Sequence, residues 1–228
     1  MHFSKPLELK WIEAFARKHN TRFPRNEDMF EISASFNAQT HQSASNTKKI
    51  GYKLTSGDNA RVVTIVPSQL AISHLAPYTD WGELCSDARQ HWTTLSKIMK
   101  SKSLGHISAR YINRIDIPIK TDGSVDMHKY FNLGLSLPSY LQTMALQAFQ
   151  VNCSLHHANE PYLYTLSIAS TPSPLIDYLS FIIDIDVATT GTVPADEDKL
   201  WELVDSLQKH KNDLFESCIT TETRALFQ

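Results

Sequence analysis

Leu104-Gly105-His106-Ile107-Ser108-Ala109-Arg110-Tyr111-Ile112-Asn113-Arg114-Ile115-Asp116-Ile117-Pro118-Ile119 decides how this chain is read. Branched and aromatic residues recur at every second position, the period of a strand with one buried face. Ile107, Ala109, Tyr111, Ile115, Ile117 and Ile119 define an apolar side. His106, Ser108, Arg110, Arg114 and Asp116 define a polar side, which Ile112 interrupts. Asn113 falls among the apolar positions. A buried amide without a partner costs ~1–3 kcal/mol, so Asn113 is expected to be buried and hydrogen-bonded.

Working outward, three strands and a helix precede this stretch and three strands and a helix follow it. Leu7, Trp11, Ile12, Phe15 and Ala16 have helical spacing, with Pro6 suited to a first helical position. Phe30, Ile32, Ala34 and Phe36 alternate with polar residues, as a strand does. The Ser-rich His41–Asn46 segment reads as a loop or long hairpin tip. Lys49–Thr55 and Arg61–His74 are the next strands, joined by the turn Ser56-Gly57-Asp58-Asn59. Pro67 lacks a backbone donor, which implies a bulge or an edge there.

A helix of about 20 residues is expected from Trp81, with Asp80 as its N-cap and Glu83 three residues on. Beyond the central strand, Thr121-Asp122-Gly123 is a turn, and Gly134 and Pro138 limit any helix over 126–141. Leu146–His157, Tyr162–Ala169 and Tyr178–Ala188 alternate as strands. Asp196–Ile219 is a second long helix, and Thr220-Thr221-Glu222 caps a last short one. Trp81, Trp92, Leu203, Leu207, Leu214 and Phe215 are expected to face a sheet.

This order predicts an α+β fold, largely antiparallel, with two long helices packed on one face. It is read as one domain over 1–228, with two pseudo-repeated halves at 30–120 and 121–228.

Composition narrows the functional classes. A hydrophobic fraction of 42% and a charged fraction of 20% are ordinary for a globular protein. A net charge of −2 does not indicate a broad nucleic-acid surface. Cys85, Cys153 and Cys218 are far apart and form no C-x-x-C pair, which fits a reducing cytoplasm. Met1–Lys10 lacks an apolar signal-peptide core. The longest apolar run, Leu179–Val187, holds Asp184 and Asp186 and is too short for a ~20-residue membrane span.

Motifs are sparse. Seven glycines form no phosphate loop, and neither G-x-S-x-G nor H-E-x-x-H occurs. The adjacent His156 and His157 point to opposite faces of a strand, which disfavours a shared metal ion. No catalytic residue, metal or cofactor is assigned. The candidate binding residues are Arg110, Asn113, Arg114, Asp184 and Asp186. Arg110 and Arg114 are ~13 Å apart along one face at strand rise. Asp184 and Asp186 share a face of their own strand, so Arg–Asp pairs across a sheet follow if the strands are neighbours. A guanidinium left unpaired is instead an anion receptor.

Three tracts carry a family resemblance: Ala109-Arg110-Tyr111-Ile112-Asn113-Arg114-Ile115, His74-Leu75-Ala76-Pro77-Tyr78-Thr79-Asp80-Trp81, and Leu214-Phe215-Glu216-Ser217-Cys218-Ile219-Thr220. They resemble a family of uncharacterised bacterial proteins described as sporadically distributed, over 50–227, while residues 1–45 depart from it. Patchy occurrence implies mobile accessory genes, among which defence, counter-defence and toxin–immunity systems are common. The resemblance carries no reaction and no residue roles. The leading expectation is a non-enzymatic bacterial protein that binds another protein in such a system, with a homodimer compatible. The alternatives are an anion- or nucleotide-sensing domain using Arg110 or Arg114, and an RNA-binding or RNA-cleaving protein.

Overall fold

The stretch that reads as one strand belongs to two different sheets. The computed structural model describes residues 1–39, 41–76, 78, 80–99, 104–121, 123–134, 138–141, 144, 148–156 and 158–227. The chain divides into two compact units, Met1–His106 and Ile107–Gln228. The first unit closes with β6 (Leu104–His106), and the second opens with β7 (Ser108–Pro118), so the boundary falls inside the alternating tract. Period two records burial on a face and is blind to which sheet supplies the face. At the junction, Ile107 N–H donates to Thr189 Oγ1 at 3.1 Å, and Ile107 C=O accepts from Thr189 N–H at 2.9 Å.

Unit 1 contains β1 (His2–Phe3), α1 (Leu9–His19), β2 (Arg25–Asn37), β3 (Gln42–Thr55), β4 (Arg61–Val66), β5 (Gln69–His74), α2 (Trp81–Met99) and β6. Its sheet has the order β2-β3-β4-β5-β1-β6, antiparallel at every pairing. Leu54, Val63, Ile65 and Leu70 are buried at alternate positions, so they form one inner face. Ile12, Phe15, Ala16 and His19 form the buried stripe of α1 at i, i+3, i+4 and i+7 spacing. The helix starts at Leu9 rather than at Pro6. Residues 1–7 are held against the neighbouring hairpin, where Phe3 N–H bonds Ser68 C=O and Leu7 N–H bonds Pro67 C=O at 2.8 Å. Pro67 makes neither a bulge nor an edge. With Ser68 it forms a two-residue turn between the paired Val66 and Gln69 and divides 61–74 into two strands. The Asp80 cap forms as expected, with Glu83 N–H donating to Asp80 Oδ1 at 2.8 Å, and α2 buries Trp92, Leu95 and Met99.

Unit 2 contains β7, α3 (Met127–Tyr130), β8 (Gln150–His156), β9 (Tyr162–Pro172), β10 (Tyr178–Thr189), α4 (Glu197–Cys218) and α5 (Thr221–Ala225). Its antiparallel sheet runs β7-β10-β9-β8. Phe181, Ile183, Ile185 and Val187 of β10 are buried at alternate positions, as are Ile115 and Ile117 of β7. The helix α4 packs on β7 and β10 and buries Leu200, Trp201, Val204, Leu207 and Cys218. Leu203, Leu214 and Phe215, expected to face the sheet, are half-buried, because they flank a stripe centred on Leu200, Val204 and Leu207. Asp196 caps α4 through Lys199 N–H, and Thr220 caps α5 through Thr223 N–H. The turn position Asp122 and the strand start at Leu146 lie outside the described residues.

The fold is therefore α+β with two antiparallel sheets. The two long helices do not share one sheet face: α2 packs against unit 1's β5 and α4 against unit 2's sheet. No described helix is long and apolar enough to cross a membrane.

Candidate functional site

Arg110, Ile112, Arg114 and Asp116 of β7 stand on the face of the unit 2 sheet opposite the buried row, together with Asp184 and Asp186 of β10. The register sets Arg110 opposite Asp186 and Ile112 opposite Asp184. Arg110 nevertheless reaches diagonally to Asp184, donating from Nε to Oδ1 at 2.9 Å and from Nη2 to Oδ2. This forked bond reinforces the Arg110 charge. Arg114 does not cross the sheet. It turns along its own strand to Asp116, with Nη2 at 3.2 Å from Oδ2. Asp186 faces Ser108, and burial pushes its carboxyl above the usual range. The expectation that Asp184 and Asp186 neutralise both arginines thus holds only for Arg110 with Asp184. Both guanidiniums are paired and more than half exposed, at 60% and 51%. Pairs this exposed contribute ~0–1 kcal/mol.

Asn113 is half-buried rather than buried. On β7 it lies opposite Ile183 of β10, and no described strand pairs with the other flank of β7. Two residues earlier, the Tyr111 ring carries Lys211 Nζ of α4 at 3.5 Å from its centroid. Burial lowers the Lys211 pKa to about 8. His156 is exposed at the end of β8, and His157 lies outside the described residues.

Unit 1 holds a polar cluster that no sequence spacing announces. Asp87 of α2, only 7% exposed, accepts from Arg22 Nη2 at 2.5 Å and from His74 Nε2 at 2.9 Å, and Arg61 Nη1 lies at 3.1 Å. Arg61 also bonds Glu83, and Arg22 donates to Gln90 Oε1 at 2.5 Å. Burial opposes the Asp87 charge most strongly. The bonds from Arg22 and His74 and the two arginine charges outweigh it and hold the carboxyl below its usual range.

Next to this cluster, bond directions fix two tautomers. The Phe15 carbonyl at 2.8 Å requires His19 Nδ1 to donate. Neutral His19 therefore accepts at Nε2, and His91 Nδ1 at 2.9 Å must be the donor. His91 Nε2 is left as a bare acceptor, sealed from solvent and without a partner. Burial lowers the His91 pKa to about 4, helped by the His19 and Arg22 charges. The His19–His91 bond ties α1 to α2. The available signal was on α2 itself: Asp87 and His91 lie four apart beside the buried Cys85 and Trp92, polar residues on an apolar stripe.

The β2–β3 hairpin is the third feature. Only Tyr52–Thr55 of β3 pair with β4. From Phe30–Asn37 on β2 and Gln42–Lys49 on β3, the hairpin is a two-stranded ribbon with no third strand among the described residues. At its root Ile50 is an extra residue, since Met29 pairs with Gly51 but Phe30 pairs with Lys49. Gly51 is required there, because a Cβ would sit 2.1 Å from the Ile65 carbonyl oxygen. By strand alternation Phe30, Ile32, Ala34 and Phe36 share one face of the ribbon. Phe30 is 54%, Ile32 74% and Phe36 67% exposed. The strand read from these four residues is present but longer, and Gln42–Asn46 is not a loop but the far end of a long hairpin, paired with Ser33–Asn37.

No protein-family model, curated protein or solved structure matches the chain.

Proposed function

We propose that this is a non-enzymatic interaction protein that binds another protein through the apolar face of the β2–β3 ribbon. The exposure of Phe30, Ile32 and Phe36 carries the reading. A two-stranded hairpin is marginal in water without a surface to pack on, and clustered exposed apolar side chains mark interaction sites. The resemblance to a sporadically distributed bacterial family supports a setting in defence, counter-defence or toxin immunity. The three free cysteines support a reducing, cytoplasmic one. Arg110 and Arg114, both carboxylate-paired, favour the sensor alternative less.

The test is a photo-crosslinking residue placed at Ile32 in the native host, with the same residue at exposed Ile112 as control. A different protein captured from position 32 and absent from position 112 is the expected result. Capture of nothing but copies of this chain contradicts the reading.

A further inference from the structure

We infer that the outer edge of β2, with which no described strand pairs, joins the β2 edge of a second copy, antiparallel about a two-fold axis at Ser33. This rests on reading the ribbon as an interaction element and names a second surface of it, its hydrogen-bonding edge. β2 is the terminal strand of its sheet, thirteen residues long. Exposed edges are normally blunted by proline, lysine or a bulge in the edge strand. β2 has no proline and no lysine, its carboxylates Glu27, Asp28 and Glu31 all precede Ile32, and the extra residue at the bulge belongs to β3. The lysines of the hairpin, Lys48, Lys49 and Lys53, are all on the inner strand.

The sequence selects a second copy as the occupant and Ser33 as the centre. Antiparallel self-pairing about Ser33 sets Phe30 opposite Phe36 and Ile32 opposite Ala34 of the other copy. Each residue of the exposed row Phe30, Ile32, Ala34 and Phe36 then meets another residue of that row. Glu31 meets Ser35, and Ser33 meets Ser33. Centring on Asp28 or Glu31 sets a carboxylate against itself, centring on Met29 sets Glu27 against Glu31, centring on Phe30 or Ile32 sets an apolar residue of the row against Asp28, and centring on Ala34 sends Phe30 past the end of β2. Like charges directly opposite are destabilising, and aromatic pairs are favourable. Two apolar rows become adjacent in the resulting four-stranded ribbon, which doubles the face offered to a partner protein. The geometry is that of strand addition, with main-chain hydrogen bonds supplying affinity.

The experiment uses the full chain. Sedimentation equilibrium at micromolar concentration is expected to give a dimer. Single cysteines are then placed at Ser33, Ser35 and Glu31 with Cys153→Ser as background, and thermal melting confirms that each variant folds. Opposed residues across an antiparallel pair lie ~4.5–5.5 Å apart at Cα, within disulfide reach. Oxidation is expected to crosslink Ser33→Cys on the order of 10-fold faster than Ser35→Cys or Glu31→Cys alone, because pairing raises the local thiol concentration. A mixture of Ser35→Cys and Glu31→Cys chains is expected to crosslink like Ser33→Cys. A monomer in sedimentation, or equal crosslinking at the three positions, overturns the inference. A monomer that still captures a partner from position 32 contradicts this inference alone. A dimer that captures no other protein contradicts only the proposed function.

Discussion

Asp87 is buried and Ile32 stands in water, both within unit 1. The usual positions of charge and hydrocarbon are exchanged, and the two exchanges are handled differently. Asp87 carries its compensation inside the chain, in Arg22, Arg61 and His74. The row from Phe30 to Phe36 has no covering element among the described residues. A buried charge tolerated by its own fold points to architecture. An apolar face that its own fold leaves uncovered points outside the chain.

The contrast breaks most visibly if the charge cluster is opened. Asp87→Ala strands two arginines that have no other route for their charge except Glu83 beside Arg61, and it is expected to cost ~3–5 kcal/mol. Urea denaturation of the variant checks this, and a loss under ~1 kcal/mol would show that the arginines simply turn to solvent.

Acid is the next largest effect. Folded His91 titrates at about 4 and an unfolded histidine at 6.5. Between these values the unfolded chain binds a proton that the folded chain refuses, so the His91 contribution to stability falls as pH drops from 6.5 to 4 and is level above 6.5. The difference corresponds to ~3 kcal/mol. His19, also lowered by burial, acts in the same direction. Denaturation midpoints measured across this range test it, and a flat profile contradicts a His91 pKa held down by burial.

Arg110→Ala in unit 2 sharpens the comparison from the other side. Its bond to Asp184 has good geometry but lies at the surface, so the expected loss is ~0–1 kcal/mol. A larger loss, measured by thermal melting, would make that pair part of the core.

What could be read from the sequence follows from the range of the interactions involved. The helix starts at Asp80 and Asp196 were legible because capping acts within a single turn. The inward residues Ile115 and Ile117 were legible because alternation is local. The Arg110–Asp184 pair was half legible: parity gave the shared face, but the register that makes the pair diagonal depends on β10. The break at Ile107 was illegible because the same alternation serves both sheets. Arg22, Arg61, His74 and Asp87 converge across as many as 65 residues of chain, and no spacing rule spans that distance. The ribbon's length was hidden by its serines, which suit a loop as well as an exposed strand.

The smallest expected effect on stability is also the most direct test. Ile32→Lys combined with Phe36→Lys breaks the apolar row and touches no residue packed within the chain, so at dilutions below self-association the change in stability should stay within ~0.5 kcal/mol. Thermal melting and capture of the partner found by crosslinking are measured on the same preparation. Unchanged melting with capture lost is the expected result. Capture retained at wild-type level, or melting lowered by several degrees, would show that the ribbon belongs to the scaffold and that the binding surface lies elsewhere.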